Sequence, residues 1–214
     1  MALETTKNLG GIGAILIVIA ALGTFGTAYV GLLGLVGIIL VLIAVKGLAD
    51  HYNEGGIFNN ALYAIVMGII GGLAFVGIAI YAVMTQIFSL LDLTEGDWSG
   101  LSAAIQERIT SGDMSFIWDF VGTIILAWVV FSICIIVAAI FSRKSLNLAS
   151  AKTGVGMFGT AGILMLIGGI LFIIFIGAIL IWVAWILIAV AFFSIKTQPT
   201  QPQASPQQPP PTPV

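Results

Sequence analysis

Long apolar runs separated by short polar stretches set the pattern of this chain. Four long apolar stretches contain no Asp, Glu, Lys or Arg: residues 8–45, 55–91, 120–142 and 153–195. A helix needs about 20 apolar residues to cross the hydrocarbon core of a bilayer, so the first and last stretches can each hold two spans. The pattern therefore predicts an all-α polytopic membrane protein.

Breaks within these stretches divide them into six predicted transmembrane helices. Residues 23–28, rich in Gly and Thr, predict a turn in the first stretch, and Gly177 marks the break in the last. The second stretch opens with a polar segment, residues 55–60, which leaves one long helix. We expect spans near the following residues: 8–23, 29–47, 61–91, 115–142, 154–175 and 178–195.

Two alternatives concern the number of spans. Gly71 and Gly72 could divide residues 61–91 into two spans, which would give seven. With six spans and both termini cytoplasmic, only Arg108 of the 7 Lys and Arg residues falls outside, so the positive-inside rule favours six. The N-terminal run could also be a signal peptide cleaved near Gly26. Because the apolar run resumes at once, we expect it to be retained as the first span.

The polar regions outside the spans predict one further helix and a tail. In the external loop, residues 92–119, apolar residues recur at every fourth position from Leu101, which is typical of an amphipathic helix on the membrane surface. All 7 prolines lie in residues 197–214, a Pro- and Gln-rich segment that we expect to be a disordered tail. Residues 1–196 are then the six-helix transmembrane domain.

Composition narrows the classes of function. The chain is 60% hydrophobic and only 7% charged, whereas a soluble domain carries roughly a quarter charged residues. A net charge of −2 without a basic stripe excludes nucleic acid as a partner. The single cysteine, Cys134, excludes an internal disulfide and a multi-cysteine metal site. We expect no cofactor.

The lack of ionisable residues within the spans argues against catalysis and coupled transport. Intramembrane enzymes need an activated nucleophile, a metal or an acid–base pair, and coupled transporters use buried Asp, Glu or His. The single histidine, His51, falls in a predicted cytoplasmic loop, so we expect no enzymatic activity. A passive pore would need a polar lining, for which Gln86 is the best candidate. A hydrogen bond between helices is the other role open to Gln86.

The densest polar cluster lies at the inner end of the second predicted helix. It contains Asp50, His51 and Glu54, and Asn60 follows shortly after. If this segment is helical, Asp50 and Glu54 share a face that would suit a divalent cation or a protein partner. A convincing fourth metal ligand is missing, so we predict no metal site. We interpret the four residues as a candidate cytoplasmic docking segment, with a solvated loop as the alternative.

Small residues mark candidate helix contacts. The chain contains 26 glycines, among them a GxxxG pair at Gly68 and Gly72. Small residues let helix backbones approach closely in lipid, so these positions predict contacts within the bundle or between copies. A weak similarity between residues 7–45 and 152–190 would make the first and last hairpins parallel repeats; chance similarity of apolar sequence is the alternative.

One polar segment also carries a resemblance to a known family. The run from Leu42 to Leu62, with Asp50-His51-Tyr52 as its most specific part, resembles mainly archaeal multi-spanning membrane proteins catalogued as a domain of unknown function. The resemblance covers about residues 5–195 and leaves the proline-rich tail as an extension. It implies a prokaryotic cell-membrane location and no particular mechanism.

These patterns together predict a non-enzymatic membrane protein that acts through helix packing, as a homo-oligomer or as a subunit of a membrane complex. Its expected partners are the lipid bilayer and either copies of itself or other membrane proteins. A small channel or uncoupled transporter is the alternative. A polar stripe across the whole bilayer would favour it, and Thr85, Gln86 and Ser89 supply only one end of such a stripe.

Overall fold

A computed structural model describes residues 3–23, 28–88, 98–112 and 115–196. Within these ranges the chain forms seven α-helices and no strand, which confirms the all-α class. The helices are α1 Leu3–Gly23, α2 Ala28–His51, α3 Gly55–Tyr81, α4 Trp98–Ser111, α5 Ser115–Thr153, α6 Gly156–Leu171 and α7 Ile176–Phe193. A π-helical segment, Ala82–Ile87, continues α3, and a 3₁₀ turn, Phe172–Ile174, follows α6.

Six of the helices are long and apolar enough to cross a membrane, namely all except α4. The protein is therefore a multi-pass membrane protein, as its sequence predicts. The remaining helix, α4, lies in the predicted external loop between α3 and α5. It ends at Ser111, and Gly112 follows with a φ of 79°, a left-handed conformation that glycine adopts without strain.

Two helices extend further than the predicted spans. The helix α3 begins at Gly55 instead of near residue 61, because its polar first turns are satisfied internally: the Asn60 amide donates to the carbonyl of Gly56 at 2.7 Å. The helix α5 continues to Thr153, past the predicted end of the span at 142. The charges that follow residue 142 end the apolar run without ending the helix. The predicted tail, residues 197–214, lies outside the described residues.

The six spans pack in chain order around one bundle. The helices α1 and α2 form a hairpin, α3 packs along α5, and α5, α6 and α7 follow one another. Contact between α1 and α7 closes the series, while α2 and α3 meet over a shorter length. Up-and-down packing of six spans brings residue 3 and residue 196 to the same end of the bundle.

This end carries six of the seven cations, and we call it the basic end. The six are Lys7, Lys46, Arg143, Lys144, Lys152 and Lys196. The largest buried cluster also lies here, where Leu48, Ile57, Phe158, Phe192 and Ile195 pack together, each 3% exposed or less. Six helices therefore share one apolar core just inside their charged ends.

Glycines set the closest helix crossings. A Cβ at Gly13 of α1 would lie 2.8 Å from the carbonyl oxygen of Gly37 in α2, so the two backbones touch there. A Cβ at Gly168 of α6 would likewise lie 3.0 Å from the carbonyl oxygen of Gly177 in α7. Without a hydrophobic drive between helices in lipid, such close approach is a main source of packing energy.

An aromatic cluster joins the helices at the opposite end. The indole of Trp128 in α5 is stacked on the rings of Phe172 and Phe175, with centroids 5.0 and 4.3 Å away. Its Nε1 donates to the carbonyl of Ile173 at 3.1 Å. The turn between α6 and α7 is thereby held against α5, although Phe175 has the left-handed φ of 65° that non-glycine residues rarely adopt.

Candidate functional site at the basic end

Two short turns shape the surface of the basic end. The helix α2 ends at His51, and Asn53, with a φ of 50°, reverses the chain so that the Glu54 amide donates to the carbonyl of Ala49 at 2.9 Å. Asparagine tolerates this left-handed conformation better than most residues. In the second turn, Gly154 has a φ of 73° and links α5 to α6.

An ion pair ties the two turns together. The carboxylate of Glu54 lies 3.2 Å from the Nζ of Lys152, which belongs to the last turn of α5. Asp50 instead pairs with Lys46, four residues earlier in α2, at 2.8 Å. The condition under which Asp50 and Glu54 would share a helical face is not met, because α2 ends at His51, between them, and each carboxylate has its own cation.

The other two predicted site residues also have separate surroundings. The imidazole of His51 is exposed and lies edge-on to the ring of Tyr52, with centroids 4.8 Å apart. Asn60 is half-buried and bonds within its own helix. Across the described ranges, no three His, Cys, Asp or Glu side chains are close enough to share a metal ion. The four residues thus have separate partners and do not converge on a common point.

Buried polar contacts hold the turns on the core. Ser145 of α5 is 3% exposed and donates from its Oγ to the carbonyl of Ile57 at 2.6 Å. Lys7 of α1 donates to the carbonyl of Ile195 at 3.3 Å, so the first helix is fastened to the end of the last. Hydrogen bonds and an ion pair thus connect the turns and helix ends of the basic end, and we call the polar surface that they form the platform.

One face of α5 at the basic end was not singled out as a candidate site from the sequence. Ile140, Arg143, Lys144 and Asn147 are spaced i, i+3, i+4 and i+7 along α5 and therefore lie on one side of it. Together with Leu166 of α6 they line a shallow groove of about 300 Å³. The signal was present, since two cations at the exact end of an apolar run mark a membrane boundary.

The candidate pore residue has a distinctive backbone. Gln86 lies in the π-helical segment at the end of α3, and π-helical turns are frequent at functional sites. The side chains of Thr85 and Gln86 are outside the part of the chain that the structure describes, and so is the whole of Ser89. The lining role of Gln86 remains a prediction.

The fold and the charged platform define a multi-pass, all-helical membrane protein. The chain belongs to the family described as a protein of unknown function, DUF996, whose profile matches residues 33–186. It is also 32% identical over 177 residues to the uncharacterized protein MJ1644 of Methanocaldococcus jannaschii, covering 83% of this chain and 84% of that protein. No solved structure matches it. The resemblance to an uncharacterised, archaeal-like family is confirmed.

Proposed function

We propose that this protein is a non-enzymatic component of the cell membrane that works through helix packing, as a homo-oligomer or as a subunit of a membrane complex. Three features support this: an open small-residue face on α3, spans without charged residues in their apolar runs, and the polar platform at one end. The open face carries the proposal, because it is a contact surface that the single chain does not use.

The open face consists of Gly68 and Gly72 of α3. A Cβ at either position would meet nothing within 4 Å, although both glycines are half-buried. By contrast, a Cβ at the neighbouring Gly71 would lie 2.6 Å from the Cβ of Cys134 in α5. The surface of α3 at Gly71 is therefore already covered by α5 of the same chain. The surface at Gly68 and Gly72 lies beside this contact and is left uncovered.

A second helix fits this open face better than lipid does. Two glycines one turn apart allow the backbones of two helices to approach, and the flanking apolar residues then pack around the crossing. Val76, one turn further on, is 52% exposed and would extend the contact. We infer that α3 of a second copy, or a span of another membrane protein, occupies this face.

The distribution of Lys and Arg residues supports one orientation of the protein in the membrane. Six of the seven Lys and Arg residues belong to the basic end, and the seventh, Arg108, belongs to α4 near the opposite end. Under the positive-inside rule, this distribution supports a cell-membrane protein with both termini and the docking segment in the cytoplasm. Asp50, His51, Glu54 and Asn60 would then face cytoplasmic partners.

The test is affinity purification of the tagged full chain from native membranes in mild detergent, with mass spectrometry of the purified particle. The variants are Gly72→Ile on the open face and Gly77→Ile as the matched control. Gly77 lies on the opposite, exposed side of α3, and a Cβ there also meets nothing within 4 Å. We expect Gly72→Ile to weaken association about tenfold and Gly77→Ile to leave it unchanged.

Each outcome has a definite meaning. Loss of association in Gly72→Ile alone supports the α3 contact, and the mass of the particle shows whether the lost partner is a second copy or another protein. Equal behaviour of the two variants contradicts it. For a complex with a cytoplasmic partner, His51→Ala should weaken binding without affecting folding, because the imidazole is exposed. A protein recovered only as a monomer, in every variant, would overturn the proposal.

A further inference from the structure

The groove between α5 and α6 lies where an apolar surface gives way to charge. Its apolar side is formed by Ile140, the third residue from the end of the uncharged run, and by Leu166 of α6. Its polar side is formed by Arg143, Lys144 and Asn147, all exposed. The helix α5 continues to Thr153, about 15 Å beyond Arg143, so these three side chains lie where its apolar run ends and its charged extension begins.

The groove is shallow because α5 and α6 are in close contact beneath it. A Cβ at Gly162 of α6 would lie 3.4 Å from the Cα of Arg143 and 3.3 Å from the Cβ of Leu146. A larger residue at Gly162 would push the two helices apart at this level. The cation-bearing turn of α5 is therefore fixed directly on α6.

The two cations of the groove lack carboxylate partners in the described part of the chain. Elsewhere at the basic end, Lys46 pairs with Asp50 and Lys152 pairs with Glu54. The Nζ of Lys144 lies 5.6 Å from the centroid of the Phe141 ring, a cation–π contact that holds the ammonium at the level of the apolar surface. Arg143 and Lys144 thus keep their charge available to an external anion.

We propose that this groove binds the phosphate of an anionic phospholipid, with an acyl chain lying along Ile140 and Leu166. The guanidinium of Arg143 offers paired donors that match phosphate oxygens, Lys144 adds a point charge, and the Asn147 amide offers a further donor. Basic pockets between transmembrane helices at the membrane boundary are suited to anionic headgroups. The site does not depend on the oligomeric state proposed above.

The test is native mass spectrometry of the purified full chain, released from micelles that contain phosphatidylglycerol and phosphatidylcholine in equal amounts. The site variant is Arg143→Gln with Lys144→Gln. The matched control is Lys46→Gln with Lys152→Gln, which lowers the net charge from −2 by the same two units at the same end of the molecule. We expect about a tenfold preference for phosphatidylglycerol in the parent chain and in the control, and none in the site variant.

Competition identifies the source of the phosphate. Inorganic phosphate and glycerol 3-phosphate carry the anion without the acyl chain, so at millimolar concentration they should leave the bound phosphatidylglycerol in place. Displacement by either would overturn a lipid site in favour of a soluble anion. Equal loss in both double variants would show that diffuse charge attracts the lipid, and no preference in the parent chain would remove the site altogether. Arg143→Lys, which keeps the charge without the paired donors, should show an intermediate preference.

Discussion

Gly177 is the residue whose backbone leaves no room for a side chain. A Cβ there would collide with the carbonyl oxygen of Gly168 and the backbone nitrogen of Phe172. Both are backbone atoms, which cannot rotate away as the end of a flexible side chain can. Any larger residue must therefore separate α6 from α7 or unwind the turn that joins them.

We accordingly expect Gly177→Ala to lower the free energy of unfolding by about 2 kcal/mol, the cost of overpacking a tight contact. Gly77→Ala is the matched control, since a Cβ there meets nothing and alanine favours the helix by about 0.5–1 kcal/mol over glycine. Unfolding of the two variants in mixed micelles with increasing dodecyl sulfate, followed by tryptophan fluorescence, measures both. Equal stability of the two would contradict the close contact at Gly177.

For single residues, the turn at Gly177 could be predicted from the sequence, whereas a contact between distant residues could not. The break in the apolar run was visible, because a glycine between two long hydrophobic segments marks a turn. The ion pair of Glu54 with Lys152 was not, since 98 residues separate the two and only the packed bundle brings their turns together. Local spacing suggested instead that Glu54 belongs with Asp50, which required a helix that in fact ends at His51.

Among the elements, the turn between α6 and α7 depends on a neighbour that is distant in sequence. Trp128 of α5 is stacked on both Phe172 and Phe175 and donates to the carbonyl of Ile173. A left-handed non-glycine residue costs of order 1 kcal/mol or more, so Phe175 keeps this conformation only where its surroundings enforce it. The stacking supplies that constraint.

Replacing the indole by a smaller ring without the N–H tests this arrangement. Trp128→Phe keeps an aromatic ring in the stack but deletes the indole N–H, and we expect the free energy of unfolding to fall by about 1 kcal/mol. Trp118→Phe is the control on the same helix, since Trp118 is 73% exposed. Thermal unfolding followed by circular dichroism compares them. An unchanged Trp128→Phe variant would show that the N–H contributes nothing to the turn.

Helix limits were the least predictable feature of the elements. The uncharged runs located all six spans, because a bilayer demands a minimum apolar length. They could not place the start of α3, where Asn60 satisfies its amide on the carbonyl of Gly56 and so remains helical. Nor could they place the end of α5, because Arg143 and Lys144 end the uncharged run while the helix continues to Thr153.

At the scale of the whole molecule, most of the cations lie at one end. What this end can bind therefore depends on the side of the membrane that it faces. Six Lys and Arg residues belong to the basic end, together with the polar turns and the proposed lipid groove. A positive end in the cytoplasm gives these features access to cytoplasmic proteins and to the inner leaflet. The opposite orientation would present them to the outside and leave the platform without cytoplasmic partners.

Cysteine labelling of intact cells tests the orientation. Starting from Cys134→Ser, which removes the single native thiol, Ala151→Cys places a thiol on the exposed extension of α5 and Ser102→Cys places one on an exposed face of α4. A membrane-impermeant maleimide should label Ser102→Cys at once and Ala151→Cys only after the cells are opened. The expectation follows from the charge distribution, since neither thiol lies within an apolar run.

The pair of sites makes the result unambiguous. Ala151 is exposed and lies about 12 Å along the helix from Arg143, beyond the end of the apolar run of α5, so we expect the reagent to reach its thiol from the aqueous side. Labelling of Ala151→Cys in intact cells with protection of Ser102→Cys would invert the orientation and place the docking segment outside. Labelling of both in intact cells would contradict the single span that α5 is expected to make between α4 and residue 151. In that case the six-span bundle itself would be wrong, because α5 would fail to cross the membrane.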